Sequence, residues 1–232
     1  MTSPGARKDP RRAVAAGISY SGGVTDTFPR QYARTQRLTL GEPRNVAVSP
    51  DGRRVVFLRS SNGSDPVNSL WVLDTERGDE RLVADPRALL AADSNDEGLP
   101  AEERARRERT REGAGGITSY ATDASCSVVA FALGGRLFAG GLLSGQTRAL
   151  DVSGPVFDPR PDPHARRVAY VSGATLRIGE LDGSSRVLVG DGEPDTVTWG
   201  SADFIAAEEM GRFRGYWWSP DGDTLAVCRV DA

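Results

Sequence analysis

The chain has 232 residues, of which 38% are hydrophobic and 26% are charged, a balance typical of a soluble globular protein. This length allows one large domain or two small ones. The net charge of −3 offers no basic surplus to neutralise phosphates, which argues against a nucleic-acid partner. No run approaches the ~18 apolar residues of a membrane span, so we expect no membrane partner.

The first 25 residues are rich in small, polar and charged side chains, and we interpret them as a mobile leader. Their basic residues could open a signal peptide, but residues 13–23 are too short and too interrupted by Gly and Ser to form its apolar core. The two cysteines, Cys126 and Cys228, lie far apart and lack metal-ligand spacing. With no disulfide framework, we expect a cytoplasmic location.

Short strand-like runs alternate with turn signals along the rest of the chain. Residues 49–52, Ser-Pro-Asp-Gly, predict a tight turn because Pro fixes φ, Asp can cap its own backbone and Gly accepts a positive φ. The same four residues return at 219–222, again before an apolar run. The predicted strands form four sets: 53–59, 70–74 and 80–83; 117–122, 128–133, 136–139 and 147–152; 156–157, 167–172, 175–179 and 186–189; 195–199, 204–207 and 225–229.

Repeated strand sets of ~40–50 residues predict an all-β fold, a partial β-propeller of which about four blades are present, whereas closed propellers commonly have four to eight. A β-sandwich would give similar strand spacing but would not explain the recurring Ser-Pro-Asp-Gly turn. We expect the propeller portion to run from residue 26 to residue 232. The chain stops directly after an apolar strand, which would leave an open sheet edge, so we expect the sequence to be truncated.

One segment, at about residues 99–113, predicts a helical insertion. Residues 101–112 contain no Gly, no Pro and no apolar stripe, and the glycines that follow end the helix. A helix that is polar all round has no face for the core, so it should project from the propeller. It is either a solvated surface helix or one that orders against a partner or a ligand.

The acidic pair Glu208-Glu209 follows residues 203–207, a run that we interpret as a strand. Two adjacent carboxylates in a half-buried position raise each other's pKa unless a cation lies between them. Such a pair suits a compact ammonium group, whose N–H bonds both carboxylates can accept. The alternatives are a solvated pair of charges, or ion pairs with the nearby Arg212 and Arg214.

No catalytic residue can be named from the sequence. A nucleophile elbow reads Gly-x-Ser-x-Gly, and the nearest approach, residues 17–21, has Ser in place of the second Gly. His164 is the only histidine and lies in a loop rich in Pro and Asp, which argues against a Ser-His-Asp triad within this chain. The sequence has neither a metal-ligand cluster nor a phosphate-binding glycine loop, so we expect no metal and no cofactor.

Residues 208–222, Glu-Glu-Met-Gly-Arg-Phe-Arg-Gly-Tyr-Trp-Trp-Ser-Pro-Asp-Gly, closely resemble the glutamate-pair motif of the dipeptidyl peptidase IV family. This family is a branch of the prolyl oligopeptidase group of serine peptidases. Residues 107–120 resemble the arginine-bearing segment of the cytosolic dipeptidyl peptidases eight and nine. The resemblance covers about residues 40–232. It implies an eight-bladed propeller followed by an α/β-hydrolase domain, with the active site between them.

The resemblance also implies roles for individual residues. Glu208 and Glu209 would hold the α-ammonium group of a peptide substrate. Arg111, or Arg107 as the alternative, would contact the substrate backbone near its second residue. The anchored amine would explain why the family releases dipeptides, usually after Pro or Ala. Gly211 departs from the family pattern, in which Asp is common, and we expect this to loosen the turn after the glutamates.

The hydrolase domain and its catalytic triad would lie beyond residue 232, so we expect the chain alone to be inactive. The predicted function is that of the N-terminal propeller of a dipeptidyl aminopeptidase, which positions the free N-terminus of peptide substrates. Its expected partners are such peptides and the hydrolase domain, and the resemblance leaves room for a homodimer of the full-length protein. The alternative is a non-catalytic propeller that binds other proteins. We expect the aromatic run 216–218 to be mainly structural.

Overall fold

The computed structural model of the protein describes residues 26–91 and 115–231. The predicted leader and the helical insertion at about 99–113, with Arg107 and Arg111, lie outside these ranges. The described chain is mostly β and forms part of a β-propeller, as predicted from the repeated strand sets. Two short helices belong to its first part, α1 (Phe28–Arg34) and α2 (Pro86–Ala91).

Three four-stranded antiparallel meanders form the first three blades. The first blade contains β1 (Arg44–Val48), β2 (Arg54–Ser60), β3 (Val67–Asp74) and β4 (Asp79–Ala84), and β5 (Gly115–Gly116) pairs in parallel with β3. The second blade contains β6 (Ala121–Thr122), β7 (Val128–Leu133), β8 (Arg136–Gly141) and β9 (Gln146–Leu150). The third contains β10 (Phe157–Pro161), β11 (Arg167–Ser172), β12 (Thr175–Glu180) and β13 (Ser185–Val189).

The last described part contains two strand pairs and a short helix. Its elements are β14 (Val197–Trp199), α3 (Phe204–Glu208), β15 (Tyr216–Trp218), β16 (Leu225–Val227) and β17 (Arg229–Asp231). Strand β15 pairs with β16, and β14 pairs with β17. We refer to β15 and β16 as the fourth blade.

Two strand predictions are wrong. Residues 204–207 lie in helix α3, because the carboxylate of Asp203 accepts a hydrogen bond from the backbone N–H of Ala206 (2.8 Å) and caps the helix. Such a short apolar run cannot be assigned to strand or helix by periodicity alone. Residues 117–122 do not form one strand. Ile117 donates its N–H to Asn68 of β3 (3.0 Å) and stays with the first blade, before the chain crosses to β6.

The core consists of apolar layers between successive blades. Val56, Leu58 and Leu70 of the first blade pack with Phe131 and Phe138 of the second, whose rings stack with centroids 5.5 Å apart. Further layers join the second blade to the third and the third to Tyr216 of the fourth. A strand between two such layers is buried on both faces. This explains why residues 168–171 are all buried rather than alternating between core and solvent.

A capped turn joins the first two strands of each of the four blades. In the two Ser-Pro-Asp-Gly turns, the serine hydroxyl accepts the N–H of Arg54 or Thr224 (both 3.0 Å), and the glycine has a φ of 70° or 72°. The second and third blades lack this sequence, and a single buried carboxylate performs the capping. Asp123 accepts N–H bonds from residues 127 and 128, and Asp162 accepts them from residues 164, 166 and 167, at distances of 2.7–3.0 Å.

Candidate functional site

The acidic pair lies in an excursion of the chain between the third and fourth blades. An isolated antiparallel bridge joins Ser201 to Arg214 and closes the base of this excursion, which we call the α3 excursion (residues 201–214). Helix α3 forms its first half and ends at Glu208, and Glu209 is the C-cap residue. Gly211 then turns the chain back toward the blade with a φ of 61°. A glycine adopts this left-handed conformation without steric cost.

Both glutamate side chains are exposed, as in the alternative of a solvated pair of charges. The helix that carries them has a single turn, whose buried residues are Ala206 and Ala207, and the glutamates come after this buried face. Successive residues of a helix point about 100° apart, so the two carboxylates leave the end of α3 in different directions.

The two arginines of the motif have other partners. Arg212 pairs with Asp203 at the start of α3 (3.6 Å), donates its Nη1 to the carbonyl oxygen of Arg214 (2.8 Å) and donates its N–H to the carbonyl oxygen of Ala206 (2.9 Å). The Nε of Arg214 donates to the carbonyl oxygen of Tyr216 (2.6 Å). Among the described contacts, Arg212 therefore locks the two arms of the excursion together.

The aromatic run after the excursion anchors it to the third blade. Tyr216 is fully buried, and Trp218 donates its indole N–H to the carbonyl oxygen of Arg160 (3.1 Å). The ring of Trp217 lies under the guanidinium groups of Arg212 and Arg214, at 5.9 and 5.5 Å. These contacts give the run a structural function and fix the position at which the excursion leaves the propeller.

Three large apolar side chains of the excursion are exposed: Phe204, Ile205 and Met210, at 67%, 59% and 73%. They surround the acidic pair in sequence and give the tip of the excursion both apolar and anionic character. Sequence analysis overlooked these residues because 203–207 was interpreted as a strand. It also overlooked Asp203, although Asp followed by an apolar run is a common sequence signal for a helix N-cap.

The predicted site is thus only partly assembled in the described residues. Glu208 and Glu209 lie together at the end of α3, whereas Arg111 and Arg107 lie outside the described ranges. In residues 26–91 and 115–231, no group of three or more His, Cys, Asp or Glu residues is arranged to hold a metal ion. Within the same ranges, no helix has the length and apolar character needed to cross a bilayer.

Comparisons with known proteins agree with this architecture. Residues 136–232 match the family model described as "Dipeptidyl peptidase IV (DPP IV) N-terminal region". The match begins at β8 and includes the whole α3 excursion, and it covers less than half of the chain. By structure, the chain is similar to the dipeptidyl peptidase 4 of Porphyromonas gingivalis, with a TM-score of 0.52 and 18% identity.

The structural match covers 81% of this chain and 25% of the Porphyromonas gingivalis chain, so the protein spans about a quarter of the length of that relative. At 18% identity, this likeness shows the fold alone. Together, the family model and the structural match support a relationship to the dipeptidyl peptidase IV family. The resemblance to dipeptidyl peptidases eight and nine remains a prediction.

Proposed function

We propose that this chain is the propeller portion of a dipeptidyl peptidase IV-like serine peptidase and that Glu208 and Glu209 bind the α-ammonium group of peptide substrates. One observation carries the proposal. The exposed acidic pair ends a helix in an excursion that lies wholly within the residues matching the dipeptidyl peptidase IV model. Both glutamate side chains are exposed, and Arg212 of the same excursion pairs with Asp203.

In this proposal the chain binds and orients the peptide, and a hydrolase domain supplies the chemistry. The ammonium group donates charge-assisted hydrogen bonds to the two carboxylates, which fixes the first residue of the peptide. A fixed amino terminus places a defined peptide bond at the catalytic serine, so that dipeptides are released. Arg111, with Arg107 as the alternative, contacts the peptide backbone near its second residue. The proposed setting is cytoplasmic, since Cys126 and Cys228 are free thiols.

Binding to the 232-residue chain tests the clamp without any catalytic step. The probes are a short peptide amide with a free amino terminus and its N-acetylated counterpart, measured by isothermal titration calorimetry. We expect the acetylated peptide to bind at least about tenfold more weakly, because it carries no ammonium charge. Glu208→Gln and Glu209→Gln should each weaken binding of the free amine about fivefold or more and leave binding of the acetylated peptide unchanged.

Glu76→Gln is the matched control, because Glu76 is an exposed glutamate of the first blade, 63% accessible and paired with Arg53. It removes the same charge far from the α3 excursion and should leave both affinities unchanged. Equal affinity for the free and acetylated peptides would contradict the clamp. In a full-length enzyme, wild-type kcat/KM for dipeptide amides in Glu208→Ala or Glu209→Ala would contradict it as well.

The second candidate function is a non-catalytic module that binds other proteins. The exposed side chains of Phe204, Ile205 and Met210 favour it, because apolar residues at the tip of an excursion suit a protein contact. The two functions differ in what they require of the ligand. A protein-binding module would respond to substitution of the apolar residues by Ser and would be indifferent to acetylation of the ligand's amino terminus.

A further inference from the structure

The first strands of the four blades line an open cavity of about 410 Å³, which we call the axial pocket. Each of β1, β6, β10 and β15 contributes residues to its wall, as expected for the central channel of a propeller. Its principal polar and aromatic wall residues are Asn45, Tyr120, Thr122, Arg160, Arg214 and Trp218. The pocket is therefore a property of the assembled blades, and no single blade contains it.

The wall of the axial pocket carries a positive charge. It includes two arginines, Arg160 and Arg214, and none of its described residues is acidic. Arg160 is paired with Asp158, whose carboxylate oxygens lie 2.7 Å from Nη2 and 3.0 Å from Nε of the guanidinium group. Arg214 takes part in none of the ion pairs formed within residues 26–91 and 115–231. Its Nε donates to a backbone carbonyl oxygen, and its guanidinium group stacks on Trp217.

Burial lowers the pKa of Arg214 from its ordinary value, and the neighbouring charge of Arg160 lowers it further, whereas the charge of Asp158 partly offsets both effects. Both effects show that the cation is held with incomplete compensation, although it stays charged at any pH at which the protein is folded. An anion in the pocket would supply the missing compensating charge for Arg214. Since the Nε is already engaged, the terminal nitrogens of Arg214 can form two parallel hydrogen bonds with a carboxylate.

We propose that the axial pocket binds the carboxylate group of an acidic peptide, with Arg214 as its principal ligand and Arg160 as a supporting charge. That the ligand is a peptide rests on the proposed function, whereas the preference for a carboxylate rests on the wall of the pocket. The α3 excursion connects the two sites, because it carries the acidic pair near its tip and Arg214 at its base. A peptide with an ammonium group and a carboxylate complements both.

The carboxylate can come from an acidic side chain or from the carboxyl terminus of the peptide. Three probes, all N-acetylated so that the glutamate clamp contributes nothing, separate these sources. The first contains one Glu and ends in an amide, the second is identical except for Gln in place of Glu, and the third contains Gln and ends in a free carboxylate. Isothermal titration calorimetry at low ionic strength measures their affinities for the 232-residue chain.

We expect the peptide with Glu, the peptide with the free carboxylate, or both, to bind at least about tenfold more tightly than the neutral peptide. Whichever of the two binds more tightly identifies the source of the carboxylate. Arg214→Met should abolish the preference, and Arg214→Lys, which keeps the charge but not the planar fork, should retain part of it. Arg77→Met is the matched control, since Arg77 is 79% exposed on the first blade and its loss changes the net charge equally.

Circular dichroism establishes that each variant is folded, and the wild-type chain provides a test that needs no substitution. The preference for the carboxylate should decrease as the salt concentration rises, because salt screens the attraction between the charges. Equal affinity of all three peptides for the wild-type chain would overturn the proposal, as would an undiminished preference in folded Arg214→Met. Neither result depends on Glu208 and Glu209, so the anion site and the ammonium clamp can fail separately.

Discussion

The hydroxyl group of Tyr216 donates a hydrogen bond to the carbonyl oxygen of Ala169, 2.8 Å away, and thereby ties the first strand of the fourth blade to the second strand of the third. It also contacts the carbonyl oxygen of Asp158, at the bulge where β10 loses its register with β11. Burial raises the pKa of Tyr216 well above its ordinary value. The phenol therefore stays protonated and remains a donor whenever the protein is folded.

The same arrangement recurs between the first and second blades. Tyr120 contacts the carbonyl oxygens of Val56 (2.8 Å) and of Asn45 (2.5 Å). Asn45 and Asp158 both have a positive φ, 52° and 45°, and both lie where the first strand of a blade is bulged against the second. A bulge turns a carbonyl group out of the strand ladder. In both cases the hydroxyl group of a tyrosine in the next blade donates a hydrogen bond to that carbonyl oxygen.

Tyr216→Phe should lower the free energy of unfolding by about 1–3 kcal/mol, because it leaves buried carbonyl groups without their hydrogen-bond donor while the ring still fills the core. Tyr120→Phe should cost less, since Tyr120 is only partly buried and water can replace its hydroxyl group. Urea unfolding monitored by circular dichroism measures both values. Unchanged stability of Tyr216→Phe would show that this hydrogen bond contributes nothing.

Asp162 shows how much one carboxylate contributes to a turn. Its side chain is fully buried and accepts three backbone N–H groups, whereas Asp51 in the equivalent turn of the first blade is 47% exposed. Asp162→Ala leaves three donors without partners, and we expect a loss of about 3 kcal/mol in the free energy of unfolding. Asp51→Ala should cost clearly less, because water reaches the donors that it exposes. If urea unfolding showed that the two variants lose the same free energy of unfolding, the buried carboxylate of Asp162 would not be the stronger cap.

The recurrence of turns was predictable from the sequence, and the capping chemistry of the middle blades was not. Ser-Pro-Asp-Gly occurs twice and marks the first and fourth blades, because each of its residues favours the turn. Asp123 and Asp162 perform the same function in local sequences that share little besides an aspartate. Their importance depends on burial between neighbouring blades, which local sequence does not report.

The candidate site was predictable in its residues and not in its surroundings. Glu208-Glu209 stands out as an acidic pair beside a distinctive aromatic motif, but helix α3 depends on a cap by Asp203 that competes with the strand tendency of the following residues. The axial pocket was beyond sequence analysis altogether. Arg160 and Arg214 lie 54 positions apart, and only the packing of the fourth blade against the third brings them to one wall.

The ion pair between Asp65 and Arg87 should make the free energy of unfolding depend on pH. Two hydrogen bonds from Arg87, at 2.7 and 3.1 Å, hold the pKa of Asp65 well below its ordinary value, and Ser61 and the N–H of Val67 add to the effect. A carboxylate with a lowered pKa in the folded state stabilises the protein above its unfolded pKa of ~3.9, and this stabilisation is lost as the pH falls.

Asp65→Asn should therefore lower the free energy of unfolding at pH 7, and the difference from the wild type should shrink as the pH is reduced below about 5. Urea unfolding at a series of pH values measures the difference. Asp74→Asn is a suitable control, because Asp74 lies in a longer and more exposed pair with Arg77 (3.9 Å). If the difference in the free energy of unfolding between Asp65→Asn and the wild type stayed constant down to pH 3, Asp65 would be excluded as the titrating group.

The close approach of Gly215 and Gly200 fixes the base of the α3 excursion. A Cβ atom at residue 215 would lie 2.4 Å from the carbonyl carbon and oxygen of Gly200, which cannot move aside because its N–H donates to the carbonyl oxygen of Cys228 (3.0 Å). Gly215→Ala should therefore destabilise the protein by about 2 kcal/mol or more and displace the excursion.

Gly211 lies at the tip, where a Cβ would meet nothing within 4 Å. Gly211→Asn should cost less than about 1 kcal/mol, because Asn tolerates a positive φ. Urea unfolding, together with calorimetric binding of the free-amine peptide, compares the two variants. If Gly215→Ala retained wild-type stability and affinity, the base of the excursion could not be what positions the acidic pair.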